Sequence, residues 1–503
     1  MFVHDYYIIW EAMNQMKKIV SGIILAALIL QLCSCASESP QTTDSTDTTT
    51  EAAAETSGYI DELAADWGGE TLNIIVQHYS SHPNVPPEEM NGEAVDDALF
   101  ARDRTVEEKL NININYIVYE DRAELKSDVQ NAINAGDASY DFIITSMADG
   151  LNTLAPEGYL LNLNDVAHLS LDSEWWSQSC RENLTFGGKQ YITSGPISLD
   201  YYYSPCVICF NQRICDEYGL PNLYEAVLSG EWTLDMYNTI TKDVARDLDN
   251  DGKMGDDDFY AFACDDLTGQ ALYIGCGGTQ TEFTSDRLPA LTMDSEKNIN
   301  ILDRIINAVY DDSSRYLTEQ FKLDGVTDVT ITKTYHFKNA KSMLLGYNMS
   351  GIISCLRDMK DDYGIIPMPK LDENQEKYLT YGSPWGPCGV AVPVTNTGDK
   401  LELTGNAMEL MAYLSHTSVG DQMYNVTLQE KVSRDEASKE MLGIIYEDII
   451  FDLNGIHNFG NSGNTLRSCA IGREENFLSK YASLKTKAET ELDKLIEQYN
   501  SIE

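Results

Sequence analysis

The chain has 503 residues, and its 80 acidic against 35 basic side chains leave a net charge of −45. So acidic a surface repels nucleic acid and anionic lipid. A chain of this length can bury the cores of two or three domains.

Residues 1–15, MFVHDYYIIWEAMNQ, fit no leader, and Met16 is the expected start. Two lysines precede a largely apolar run from Ile19 to Leu30, which ends at Leu32-Cys33-Ser34-Cys35. This pattern is a secretory signal peptide, and a run of about a dozen residues is short of the roughly 20 needed to cross a bilayer. A small residue directly before a cysteine resembles the lipobox of bacterial lipoproteins, with Cys35 as the lipidated residue. Cys33 is a poor acceptor, because Leu32 precedes it. Residues 36–58 are rich in Thr, Ser and Glu and have no large apolar residue, so they form a disordered tether.

The globular part opens with a β-branched run at Glu70 to Val76, a buried first strand. Val95, Leu99, Val106 and Leu110 share one stripe of a helix over Ala94 to Leu110, and the alternation in NININYIV marks a second strand ending at Val118. Leu125 to Ala135 reads as a helix stopped by Gly136, and YDFIIT, ending at Thr145, as a third strand. Strand, helix, strand, helix, strand indicates an open α/β sheet. Ligands meet such sheets at the loops beyond the carboxyl ends of the strands, here His78 to Ser80 and Ser146 to Asp149. Further on come Trp175-Trp176, a hairpin around Gly187 to Gly195, and Tyr201 to Tyr203.

Nine cysteines follow Cys35, with scattered spacing that gives no disulfide framework. Cys206 and Cys209 make a CxxC inside a strand-like run, where their side chains point to opposite faces. Buried thiols are the expectation.

The Thr-rich tether, AGD…YDFII at Ala135 to Ile144, GYLLNL from Gly158, GKQYITSG leading to CVICFNQRICDEYGLP, GEWTLDMY at Gly230, IGCGG ending at Gly278, HFKNAKSMLLG from His336 and GIIPMPK at Gly364 to Lys370 occur in one order. That order resembles the extracellular solute-binding proteins of bacterial ABC importers, in their sugar-binding family 1 branch, over residues 60–500. The resemblance implies an α/β, two-lobe periplasmic-binding-protein-like fold, each lobe an open, mostly parallel sheet flanked by helices. It places 59–200 and 336–394 in lobe 1 and 204–332 and 395–503 in lobe 2. Crossings of the multi-segment hinge fall near Leu199 to Pro205, Thr332 to Phe337 and Val394, and long helices at Leu401 to Leu414 and Glu475 to Ser501 finish lobe 2. A carbohydrate or other small solute is expected between the lobes, closure being a hinge motion. The expected partners are ABC permease subunits and, through the lipid alone, the outer face of the cell membrane, with the chain a monomer.

Asp247-Leu-Asp249-Asn-Asp251-Gly252-Lys253-Met-Gly255-Asp-Asp-Asp258 follows the twelve-residue calcium loop of EF hands. Asp247, Asp249 and Asp251 stand at positions 1, 3 and 5, Gly252 at the sharp turn, the Lys253 carbonyl at 7 and Asp258 at 12. A structural Ca²⁺ is the expectation, or Mg²⁺, since Asp258 replaces the usual bidentate Glu. Aromatic faces stack on the CH faces of sugar rings, and carboxylates accept hydroxyl hydrogen bonds. His78, Tyr79, Ser146, Asp149, Asp200, Tyr201, Tyr202, Asp265, Tyr347 and Trp385 are therefore expected to face the cleft. Trp232 is expected instead to pack on a helix capped by Thr233. The sequence holds no HExxH, GxSxG, Walker A or strand-linked GxGxxG motif and no histidine cluster, which predicts no catalytic residues. Two alternatives stand beside import: a surface glycan-binding lipoprotein without a transporter, and an extracellular hydrolase.

Overall fold

β1 (Glu70–Gln77) has four consecutive buried residues at its end, Ile74 to Gln77, because it lies inside a sheet and packs on both faces. The computed structural model describes residues 58–78, 84–309, 315–317, 326, 329–429, 436–472 and 476–502, and Ile60–Glu503 form one compact unit. The leader, Cys35, the tether up to residue 57, and Tyr79 lie outside the described residues.

β1 pairs in parallel with β2 (Ile112–Tyr119) and with β3 (Phe142–Thr145). The two crossover helices are those expected. α1 (Ala94–Leu110) buries Leu99, Val106 and Leu110, and α2 (Arg122–Asn134) starts at Asp121, whose side chain accepts from the Ala123 and Glu124 N–H groups. The chain leaves α2 through Gly136 at φ +69°, a left-handed conformation that glycine adopts without the Cβ penalty.

The second sheet is built from β4 (Cys206–Asn211), β5 (Tyr260–Cys264), β6 (Arg315–Leu317), β7 (Ser342–Asn348) and β8 (Tyr363–Ile366), in the order β6-β5-β7-β4-β8. β4 alone runs antiparallel to its neighbours β7 and β8. All six residues of β4 are buried, and its CxxC thiols diverge, Cys206 into one core cluster and Cys209 into another. All nine cysteines past Cys35 are free and buried. α3 (Leu234–Thr241), α4 (Asp266–Gly275) and α5 (Val329–Lys338) belong with this sheet.

The expected lobe boundaries need correcting here. β7 and β8 lie in the second sheet and not in lobe 1, since Leu344 to Asn348 and Tyr363 to Ile366 pair with β4. There is accordingly no crossing at Thr332 to Phe337, where α5 runs on into β7 of the same sheet. The return falls after β8 instead. β9 (Thr380–Tyr381) pairs with Ile449–Ile450, and β10 (Gly389–Ala391) completes the first sheet antiparallel to β3, giving the order β10-β3-β1-β2. The chain passes from the first sheet to β4 through Leu199 to Pro205, and this connection and the return run side by side: Pro205 bridges Gly382, and the Ser383 N–H donates to the Ser204 carbonyl at 2.9 Å.

The C-terminal third is divided in the same way. α6 (Asp399–Leu414) packs on α1 in the first lobe and not in lobe 2, whereas α7 (Glu436–Glu447) covers β8 and α8 (Ser462–Ile471) covers α4. At Gly269 a Cβ would stand 2.7 Å from the Arg467 carbonyl oxygen, so only glycine permits the α4–α8 approach. α9 (Phe477–Ser501) spans both lobes: Phe477 and Tyr481 enter the second core, while Leu492, Leu495 and Tyr499 enter the first.

Candidate functional site

The carboxyl ends of β1, β2 and β3 open onto a cavity of about 610 Å³ lined by Gln77, His78, Glu120, Asp121, Arg122, Ala123, Lys126 and Asp149. Gln77 is held from below, its Oε1 accepting from Thr145 Oγ1 at 2.7 Å and from the Ser146 N–H at 3.2 Å. Asp149 is exposed and sits at φ +58°, where few non-glycine residues are found. His78 Nε2 lies 4.0 Å from Glu120 Oε1.

A second cavity, of about 150 Å³, lies where the hinge meets the second lobe, lined by Asp200, Tyr203, Ser204, Thr330, Tyr347, Asn348, Ser350, Ser383, Trp385 and Gly386. The Asp200 Oδ2 accepts from Asn84 Nδ2 at 3.0 Å, and a Cβ on Gly386 would stand 2.9 Å from Asp200 Oδ1. Glycine at 386 therefore lets the Trp385 loop close over the carboxylate. Tyr347 forms the opposite wall, with Lys333 Nζ 5.7 Å from its ring centroid and Lys333 paired to Asp265 Oδ2 at 2.9 Å. Burial raises the Tyr347 phenol above its ordinary pKa, so it stays a protonated donor.

Arg122 joins the two cavities. Its guanidinium lines the first and lies 6.0 Å from the Trp385 ring centroid, which lines the second. Its Nη1 donates to Ser146 Oγ and to the Ala148 carbonyl, both at 3.0 Å, and Ser146 Oγ in turn donates to Pro384 O at 2.9 Å. The third-strand loop and the Trp385 loop are thus tied through Ser146 and, backbone to backbone, by the Ala148 N–H, which donates to Pro384 O at 3.1 Å.

The structure brings together His78 and Asp149 in one cavity, and Asp200, Tyr347 and Trp385 in the other. It does not bring Ser146, Asp265, Tyr201 or Tyr202 to either cavity lining. Ser146 is buried in the Arg122 clamp. Asp265 is buried at the start of α4, its Oδ1 accepting from the Thr268 N–H at 3.0 Å in a capping box. Tyr202 packs edge-on to Tyr446 at 5.4 Å and Tyr424 at 6.4 Å, and the Tyr446 hydroxyl donates to the Tyr202 carbonyl at 2.9 Å. Half-buried Tyr201 leans on Tyr202. Trp175 and Trp176 are bound into the fold by buried Glu409, to which their indole N–H groups donate at 3.0 and 2.9 Å. Trp232 is buried as expected beside α3 and donates to Pro367 O at 2.9 Å.

Arg122, Lys126 and Asn348 line these cavities and were absent from the expectations. The rule that pointed to His78 and Asp149 applies equally to the connection after β2, where Arg122 and Lys126 stand in the first turns of α2, and to the end of β7, where Asn348 stands.

In the acidic loop, the carboxylates of Asp247, Asp249 and Asp258 have oxygen atoms within 4.8 Å of one another, at the base of a turn closed by the Arg246–Phe259 bridge. Asp251 is not in this group, and its Oδ1 accepts from the Lys253 N–H at 2.8 Å. The Gly252 N–H holds Asp247 below the ordinary carboxylate pKa. Asp249 accepts the Asp251 N–H, which favours its charged form, yet desolvation and the Asp251, Asp247 and Asp258 carboxylates raise its pKa overall. Three converging carboxylates at positions 1, 3 and 12 suit a hard divalent cation.

The architecture is shared with known structures. An uncharacterized protein of Listeria monocytogenes EGD-e matches at 12% identity with a TM-score of 0.52, over 84% of this chain and 100% of its own. The chain has a two-lobe, periplasmic-binding-protein-like fold. Also similar are an ABC substrate-binding protein of L. monocytogenes in complex with cycloalternan (13% identity, TM-score 0.49, 84% and 99% covered) and a family 1 extracellular solute-binding protein of Bifidobacterium longum subsp. infantis (12%, 0.48, 86% and 100%). No family model matches the sequence, nor does any curated protein. The first cavity lies at the strand ends of the first sheet and is lined by that lobe alone, and the second lies at the hinge edge of the other sheet. Among the described residues no helix is long and apolar enough to cross a membrane.

Proposed function

We propose that the chain is the solute-binding component of an ABC importer, which takes up a carbohydrate between its lobes and delivers it to a membrane permease. The observation that carries this reading is the half-buried indole of Trp385, set on the hinge between a chamber holding Asp200 and Tyr347 and a chamber holding His78, Arg122 and Asp149. An aromatic face flanked by carboxylates and planar donors offers a sugar ring both its contacts, CH groups on the indole and hydroxyls on the polar rim. Closure of the lobes would desolvate both. The leader and Cys35 support a lipid anchor on the outer membrane face, and the acidic surface supports a monomer that stays clear of anionic lipid and nucleic acid. Binding without turnover is the proposed role, so no catalytic residue is assigned. The proposal includes a structural Ca²⁺ in the loop from Asp247 to Asp258, supported by the three converging carboxylates.

The test is a thermal-shift screen of glycans and small solutes followed by calorimetry. A ligand at 100 times its Kd stabilises the folded state by about 2.7 kcal/mol. A screen in which amino acids or peptides shift the protein and no sugar does would overturn the carbohydrate reading.

A further inference from the structure

One connection between the lobes involves neither cavity. Thr281–Phe283 and Pro289–Leu291 pair as a two-stranded hairpin outside both main sheets. Its base is fixed in the second lobe, where Asn298 Nδ2 donates to the Thr279 and Thr292 carbonyls at 2.8 Å each. Its tip reaches the first lobe. Arg287 Nη2 donates at 2.8 Å to the carbonyl of Glu182, and Phe283 meets Phe186 edge-on at 6.1 Å. Glu182 lies in the last turn of the helix Gln178–Asn183, whose final carbonyls have no partner within the helix, so Arg287 satisfies one of them. The guanidinium also lies over the Phe283 ring, 4.8 Å from its centroid. Phe186 in turn stacks on Tyr499 at 4.4 Å.

The turn holds Arg287 under strain. The Thr284 N–H donates to Leu288 O and the Arg287 N–H to Thr284 O, so Ser285 to Arg287 form a three-residue hairpin loop in which Arg287 sits at φ +58°. That is the left-handed position such loops give to glycine. A residue with a Cβ is strained there, and strain of this kind points to a contact made elsewhere. The larger cavity is lined by the first lobe alone, so the second lobe has not closed over it. We infer that the hairpin is a clasp that holds the lobes at this open angle and is released when they close. Rotation about the connections at 199–205 and 382–383 carries Arg287 and Glu182 with different lobes, so their contact does not survive it unchanged. A contact made in one state only enters the open–closed equilibrium in full, and its loss favours closure. The clasp rests on the lobe closure of the import reading and on no particular ligand.

The experiment measures the lobe-to-lobe distance by pulsed electron spin resonance, without ligand, in the full chain carrying Cys33→Ser and Cys35→Ser. Spin labels are attached at the exposed positions Glu108→Cys on α1 and Lys242→Cys just beyond α3, the nine remaining cysteines being buried. The parent is expected to give one narrow distance peak. Arg287→Gly, which suits a left-handed backbone, is expected to raise the ratio of released to clasped molecules about fivefold, the effect of one hydrogen bond of about 1 kcal/mol. Adding Phe283→Ala, which removes an aromatic contact of similar size, is expected to carry that factor towards about 25, read as a broader distribution with shorter distances. Melting curves establish that both variants are folded. A distribution unchanged in the folded double variant overturns the clasp and makes the contact a support for the hairpin alone. A parent distribution that is already broad also overturns it. Released lobes in a chain that binds nothing in the solute screen uphold the clasp and overturn the import reading.

Discussion

Trp232 and Trp385 provide a sharp test, because one indole is buried in a core and the other lines the hinge cavity proposed as the ligand site. Trp232 is fully buried, meets Tyr237 edge-on at 6.5 Å and donates to Pro367 O. Truncation to alanine removes on the order of 200 Å² of apolar burial at about 25 cal/mol per Å², or about 5 kcal/mol before the site relaxes. Measured Trp→Ala costs of about 3 to 5 kcal/mol agree. The carbonyl of Pro367 also loses its donor, which adds about 1 kcal/mol. Trp232→Ala is therefore expected to lower the urea midpoint with an unchanged m-value, equivalent to about 3 to 5 kcal/mol, while binding the screened glycan with wild-type affinity. Trp385→Ala is expected to do the reverse: its half-buried indole contributes about 1 kcal/mol or less to folding, yet its loss weakens glycan binding by about a hundredfold, the effect of removing a central aromatic anchor. A loss below about 1 kcal/mol in Trp232→Ala, or full affinity in Trp385→Ala, would refute this division.

Three further outcomes are expected. Burial pushes the Asp452 carboxyl up to about 6, against 3.8 for the ordinary group, so the folded state holds its proton more tightly than the unfolded state and its contribution to stability is present below about pH 4 and lost as pH rises through 6. Asp452→Asn, which keeps a side-chain acceptor for the Gly455 N–H, should therefore gain on the wild type by about 3 kcal/mol between pH 4 and 7, measured by urea unfolding across pH. Chelation of divalent cations should lower the melting temperature of the intact chain, and Asp247→Ala with Asp249→Ala should abolish that sensitivity; a wild-type chain indifferent to chelator and to added Ca²⁺ would refute the metal loop. Cys35→Ala should release the protein to the medium or leave its precursor uncleaved, and Cys33→Ala should not, as read by membrane fractionation.

What the sequence by itself determined is local. The β-branched run at β1, the stripe of α1, the Gly136 stop and the spacing of Asp247, Asp249 and Asp258 are each written within a few residues, and each is present in the structure. Strand ends are fixed by the same short patterns, so the sequence placed His78 and Asp149 at the strand ends where they line one cavity, and extending the rule to β2 would have added Arg122. Only the tertiary structure decided which sheet each late strand joins. SMLLGYN and YGII are apolar enough to pair anywhere, and it is their register on β4 that places them in the second lobe and shifts the hinge crossing to the loop carrying Trp385. Side-chain direction in the hinge was equally out of reach: Tyr202 turns into the core because Tyr424 and Tyr446, more than 200 residues away, complete an aromatic cluster there, and half-buried Tyr201 leans on it. The contact of Arg122 with Trp385 joins positions far apart in the chain. Periodicity reports the faces of single elements, and the distances between faces are set by the packing of the whole chain.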